Sequence, residues 1–311
     1  MKNKLILSLL MLIGFNATGQ HKVAVFSSDV FSQFPNVRDI AISPDGNELY
    51  FTAQSTRQDF SAILISTKQV EGWNKPKVAS FSGKYRDLEP FLSHDGLLMY
   101  FASNRPVPGR ENEKPNFDIW KVERATLTSK WSTPENLGTS INSELNEYYP
   151  SITKSGNLYF TADRDGTKGN EDIFFSIIEG GQYSEPKSLP EAINTKGYEF
   201  NSFVDYNEQY IIYTGYGREN GFGGGDLYIS KKNDQGEWLP SKHLGKDINS
   251  QGLDYCPFVY NDILYFTSNR SNIKTSYENA LTVKTLLEEF NQTGNGKSKL
   301  YKVLGSDWLG D

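Results

Sequence analysis

The chain has 311 residues, a formal charge of −6 and a pI near 5.3, with 37% hydrophobic, 14% aromatic and 23% charged residues. That length admits one large domain with a sizeable core, and the composition excludes a disordered chain or a coiled coil. The acidic balance offers phosphates no attractive field, which argues against nucleic-acid binding.

Lys2 and Lys4 precede an apolar run over residues 5–15, and Ala17, Thr18 and Gly19 follow it. Charge, apolar stretch and small residues in that order predict a cleaved signal peptide over 1–19, leaving 20–311 as a single domain. An eleven-residue run is too short to span a bilayer, which needs about 20 residues. No cysteine follows it, so lipid attachment there is not expected. Cys256 is the one cysteine in the sequence, so the fold rests on core packing without an internal disulfide. The expectation is a monomer in a bacterial periplasm or secreted, with no membrane span.

Self-similarity organises the rest of the chain. Leu-Tyr-Phe-Thr at 49–52 returns as Met-Tyr-Phe-Ala at 99–102, Leu-Tyr-Phe-Thr at 158–161, Ile-Ile-Tyr-Thr at 211–214 and Leu-Tyr-Phe-Thr at 264–267. The markers Phe51, Phe101, Phe160, Tyr213 and Phe266 stand 50, 59, 53 and 53 residues apart. Before the first three markers, Asp-Gly or Ser-Gly (45–46, 95–96, 155–156) closes a tight turn, because Gly accepts positive φ without steric cost. After the marker comes a loop and a third strand, opened by Asp118, Asp172 or Asp226. A fourth strand is predicted at 73–76, 131–134, 183–186 and 238–240, where a Pro suits a sheet edge.

Four antiparallel strands repeated radially predict an all-β fold, a five-bladed β-propeller. The last unit lacks a fourth strand, and the strand-like residues 23–26 have no unit of their own, so the N-terminal strand is expected to close blade 5. Six blades would require a unit that the sequence does not show. Within the last unit, Ala280, Val283, Leu287 and Phe290 recur at helical spacing, predicting a helix over 277–292 whose apolar stripe packs on the rim.

The segments 90–105 (Pro-Phe-Leu-Ser-His-Asp-Gly-Leu-Leu-Met-Tyr-Phe-Ala-Ser-Asn-Arg) and 257–270 resemble the WD40-like PD40 repeats of TolB-type propellers. Asp226-Leu227-Tyr228 and 131–134 resemble the later strands of that repeat, and the resemblance spans residues 22–304. It implies a periplasmic propeller that binds protein partners at the cell envelope. Its motifs are structural, so they speak for fold more than for function.

Strand order places the second-to-third loops and the blade connections on one face. These are the long segments (104–117, 163–171, 215–225, 268–299), so a ligand is expected there. Three recurring features converge on that face: acids at Asp87, Glu147, Glu199 and Asp254, arginines at Arg105, Arg164 and Arg270, and the aspartates Asp118, Asp172 and Asp226. They read either as a charged ring for a ligand or as Arg–carboxylate staples within and between blades, and repetition favours staples. Blade 1 departs from the pattern, with Val37 for the acid and Ser55 for the arginine. Blade 4 departs too, with Tyr216-Gly217-Arg218 and a glycine run at 221–225 that reads as a flexible turn.

No Ser-His-Asp arrangement, zinc spacing or nucleophile elbow is present. Asp163, Asp165, Asn170, Glu171 and Asp172 supply hard oxygens for calcium but lack a twelve-residue loop pattern, so no cofactor is expected. Asp39, Glu89, Tyr149 and Asn201 occupy one repeat position, with Cys256 as the fifth member, and are candidates for an axial pocket. Two readings follow. One is an exported, non-catalytic module presenting its loop face to an envelope protein or peptide. The other is a carbohydrate-binding or glycoside-cleaving propeller with carboxylates at the axis.

Overall fold

The computed structural model describes residues 22–26, 28–109, 116–304 and 307–309. The expected signal peptide lies outside the described residues. Five four-stranded antiparallel sheets form a ring, as the repeat predicts. Blade 1 comprises Asn36–Ile42, Glu48–Gln54, Ser61–Thr67 and Lys77–Val78, and blade 2 comprises Asp87–Leu92, Leu98–Ser103, Asp118–Glu123 and Glu135–Asn136. Blade 3 uses Glu147–Ile152, Leu158–Ala162, Asp172–Ser176 and Lys187–Ser188, and blade 4 uses Tyr198–Val204, Tyr210–Tyr216, Asp226–Lys231 and Lys242–His243. Blade 5 contains Asp254–Tyr260, Ile263–Ser268 and Lys299–Leu304, with Lys22–Val25 as its outer strand. Val23 pairs with Val303 and Val25 with Tyr301, so the N-terminal strand closes the ring.

The second strands sit between neighbouring blades and are buried on both faces, which is why they read as unbroken apolar runs. The five aromatic markers, Phe51, Phe101, Phe160, Tyr213 and Phe266, are all fully buried. Removing such a ring would cost about 3–5 kcal/mol through lost transfer energy and the cavity left behind. Phe31 meets Phe51 edge-on at 4.8 Å, and Phe81 lies 5.1 Å from Phe101, so each marker fills the gap between layers. Gly46 closes the first turn at φ 70°, with Asp45 accepting from the Ser43 hydroxyl at 2.6 Å and the Asn47 amide at 3.1 Å.

Three expectations change. The fourth strands begin just past Pro76, Pro134, Pro186 and Pro240, and are two residues long. Ahead of them, the expected segments already touch the third strand, where Asn74, Ser132 and Leu239 donate to the Thr67, Glu123 and Lys231 carbonyls at 2.8–2.9 Å, while Tyr183 joins a small hairpin with Ile178. The helix covers Val283–Asn291, because the Thr282 hydroxyl accepts the Thr285 amide at 3.2 Å and fixes its start there. None of its residues is buried, and Val283, Leu287 and Phe290 are more than half exposed, so the stripe does not pack on the rim. The glycine run at 221–225 is a close-packed crossing: Gly224 donates to the Gly252 carbonyl at 2.9 Å, and a Cβ on Gly223 would stand 2.3 Å from that oxygen. Among the described residues, no helix is long and apolar enough to cross a membrane.

Candidate functional site

Each first strand breaks register at the same place, between Arg38 and Ile40, Leu88 and Phe91, Tyr148 and Ser151, Phe200 and Phe203, and Tyr255 and Phe258. One residue in every break adopts left-handed backbone: Asp39 (φ 52°), Glu89 (62°), Tyr149 (47°), Asn201 (51°) and Cys256 (52°). Asp and Asn tolerate this region, whereas it strains Tyr and Cys. Such a bulge re-aims a side chain, and here the five bulges supply a ring of residues about the axis.

The bulge amides are held by the repeat itself. Glu89 donates to the Thr52 hydroxyl at 3.1 Å, Asn201 to Thr161 at 3.0 Å and Asp39 to Thr267 at 3.2 Å. The Thr of each Leu-Tyr-Phe-Thr motif thus anchors the next blade. Blade 2 carries Ala102 at that position, and the Tyr149 amide donates to the Glu89 carboxylate at 2.7 Å instead.

Arg38 joins the ring together. Its Nε donates to Asp39 at 2.8 Å, and its Nη2 donates to Glu89 at 2.6 Å and to the Cys256 sulfur at 3.2 Å. Its guanidinium also lies 5.0 Å from the Tyr255 ring centroid. Asn201 adds a long contact to Glu89 at 3.4 Å, and the Tyr149 hydroxyl donates to the Pro257 carbonyl at 2.9 Å. Burial opposes the Arg38 charge, but Asp39, Cys256 and Glu89 outweigh it and hold the guanidinium firmly protonated. Burial pushes the Glu89 carboxyl up to about 8, against the pull of Arg38. Burial likewise pushes the Cys256 thiol well up, which leaves it a poor nucleophile.

Above this cluster, on the face that carries the long loops, a cavity of about 270 Å³ opens. Arg38 and Glu89 form part of its lining, with Arg86, Tyr148, Glu171 and Tyr255 around them. Asn201 also reaches it, while Asp39 (1% exposed) is enclosed beneath Arg38.

The repeated acids and arginines are engaged elsewhere. Arg105 meets Asp87 at 2.6 Å, Arg270 meets Asp254 at 2.7 Å, and Arg164 approaches Glu147 at 4.0 Å. Arg218, which the sequence sets apart, makes the same pair with Glu199 at 2.9 Å. These arginines also donate to carbonyls of the preceding blade connection, at Phe81, Ile248, Ile141 and Ile193, tying one blade to the next. Burial pushes the Glu147 carboxyl up to about 7, opposed by hydrogen bonds from Ser143. The third-strand aspartates reach toward the fourth strand. Asp118 accepts from Asn136 at 2.7 Å and Asp172 from Ser188 at 2.5 Å, while Asp226 faces His243 at 3.6 Å.

Arg38 and Arg86 escaped the sequence reading. Arg38 occupies the position of Leu88, Tyr148, Phe200 and Tyr255 in the other blades, so its charge was the available signal. A second missed pattern is Ile-Asn-Ser/Thr at 141–143, 193–195 and 248–250. Asn142, Asn194 and Asn249 accept the amides of Ile119, Ile173 and Leu227 at 2.7, 3.1 and 2.8 Å, clamping each blade connection to a third strand. Among the described residues, no group of three or more His, Cys, Asp or Glu side chains is placed to hold a metal.

This geometry defines a five-bladed β-propeller with an asymmetric polar axis. No protein-family model and no curated protein matches the sequence. Among solved structures, BT0996, solved as an RGII complex, is similar at 7% identity and TM-score 0.51, covering 86% of both proteins. The GH43 endo-arabinanase from Bacillus licheniformis is similar at 12% identity and TM-score 0.49, covering 87% of this chain and 94% of that one. TolB from Acinetobacter baumannii is similar at 14% identity and TM-score 0.45, over 86% of this chain. The chain spans about half of that TolB, 54% of its length. At 7% identity the likeness to BT0996 speaks to the fold alone.

Proposed function

We propose that the chain is an exported, non-catalytic binding module whose loop face takes a protein or peptide of the bacterial cell envelope. The observation that carries this reading is the asymmetry of the axis. The repeated charges are used in holding blades together, whereas the cavity at the loop-face end of the axis combines aromatic walls with arginine, glutamate and glutamine side chains. Rigid blades present that mouth with little backbone rearrangement on binding.

The glycoside-cleaving alternative takes its support from carboxylates at the axis. Hydrolysis needs two carboxyl groups facing one bond, about 5–9.5 Å apart. Asp39 does not reach the cavity, and of the two carboxyls that line it, Glu89 has both oxygens taken, by Arg38 and by the Tyr149 amide, which leaves Glu171 alone free to act. That arrangement favours binding over turnover.

The test is affinity capture from envelope extract with wild-type protein and an Arg86→Gln/Tyr148→Ala variant of confirmed fold. A partner retained by wild type and lost by the variant is the expected result. Release of sugar from an oligosaccharide panel, abolished by Glu89→Gln, would replace this reading with the enzymatic one.

A further inference from the structure

The cavity carries two opposite charges that the fold leaves uncommitted. Arg86 stands in the connection between blades 1 and 2. Its Nη2 donates to the Gln58 carbonyl at 3.0 Å, and its guanidinium lies 5.0 Å from the Phe117 ring centroid. Unlike the four blade arginines, it has no carboxylate within ion-pair distance among the described residues. Its Nε is buried without an acceptor, an unsatisfied donor that the fold would not leave without cost. Glu171, just ahead of the third strand of blade 3, lines the same cavity. It too has no ion pair and no side-chain hydrogen bond among the described residues, and burial together with Asp163 pushes its carboxyl up.

The two charges do not neutralise each other, since no contact within 4.0 Å joins them. Tyr148 lies in the field of both: burial, Glu89 and Glu171 push its hydroxyl up while Arg86 and Arg38 oppose. Its ring lines the cavity with Phe117, Phe200 and Tyr255. A volume near 270 Å³ falls below the roughly 300–1,000 Å³ of pockets for drug-sized ligands. A small ligand that carries an anionic group, a cationic group and an apolar side chain satisfies all of these features.

We propose that the axial cavity binds a free amino acid or dipeptide as its zwitterion, the carboxylate on Arg86, the ammonium on Glu171 and the side chain against the aromatic wall. The guanidinium takes a carboxylate through its N–H donors. The inference rests on the binding-module reading and narrows it to peptide-like ligands. A neutral sugar would leave both charges unmatched.

Calorimetry on the purified protein tests this with L-phenylalanine, glycyl-L-phenylalanine, L-phenylalanine amide and N-acetyl-L-phenylalanine. The zwitterions are expected to bind at least roughly tenfold more tightly than either blocked analogue, as loss of one charge-assisted contact implies. Arg86→Gln should erase the preference over the amide alone, and Glu171→Gln the preference over the acetyl form alone. Equal affinity for zwitterion and blocked forms, or saturation by arabinose with no zwitterion bound, overturns the proposal without reference to any variant's folding. If no zwitterion binds but a partner is still captured through this face, the ligand class falls and the binding module stands. If zwitterions bind and no partner is captured, the ligand class stands and the protein-partner reading falls.

Discussion

The blade staples and the axial cluster use the same residue types to opposite ends. In the staples, each arginine serves one carboxylate and one carbonyl, the arrangement recurs in four blades, and aromatic rings cover it. At the axis, one arginine serves two carboxylates and a thiol, and no two blades contribute the same residue. Repetition marks what every blade needs in order to stack. Broken repetition marks what the molecule needs once, and in this chain it coincides with the cavity.

The contrast breaks most forcefully at Arg38. Arg38→Met strips the shared donor from the buried carboxyl groups of Asp39 and Glu89, and urea unfolding should show a loss of about 3–5 kcal/mol. Adding Asp39→Asn and Glu89→Gln should recover most of it. A loss no larger than that of a staple variant would contradict the special standing of the axis. Arg105→Gln and Arg270→Gln should each cost about 1.5–3 kcal/mol, the range for a hydrogen bond to a charged group. Arg164→Gln should cost less, because its partner is 4.0 Å away. Combined staple variants should add, being distant from one another.

A pH series sharpens the same comparison. Glu89 is raised from 4.5 to about 8 in the folded state by burial, so between those values the folded chain holds a proton that the unfolded chain has released. Stability contributed by the protonated carboxyl is present below about pH 4.5 and is lost as pH rises toward 8. Urea midpoints should fall from pH 5 to pH 8, and Glu89→Gln should flatten the slope. Smaller again is Thr161→Val, which removes the acceptor of the Asn201 amide and should cost about 1 kcal/mol. Least is Leu287→Ser on the exposed helix, expected within about 0.5 kcal/mol.

The blades were legible because their cause is local and repeated. A buried aromatic at fixed spacing, an Asp-Gly turn and a following Thr each describe one layer of a stack. The closing strand was legible by elimination, since blade 5 lacked an outer strand and residues 23–26 lacked a sheet. The axis was legible only as a column of unlike residues. Its backbone strain follows from a register break that residue type does not announce, for Tyr149 and Cys256 carry the same positive φ as Asp39. Arg38 hid because its partners come from blades 2 and 5, far along the chain. The helix misled for a different reason: helical spacing predicts an apolar face but not what covers it. The glycine run at 221–225 reads as flexibility, while Gly223 and Gly252 let two backbones cross.

The most direct test of this division of labour sets Arg86→Gln beside Arg105→Gln, measuring the unfolding midpoint and partner capture for each. The account predicts that the axial variant keeps near-wild-type stability and loses capture, while the staple variant loses stability and keeps capture when folded. The reverse pattern would contradict it, making the repeated charges the binding surface and the axial mouth part of the scaffold.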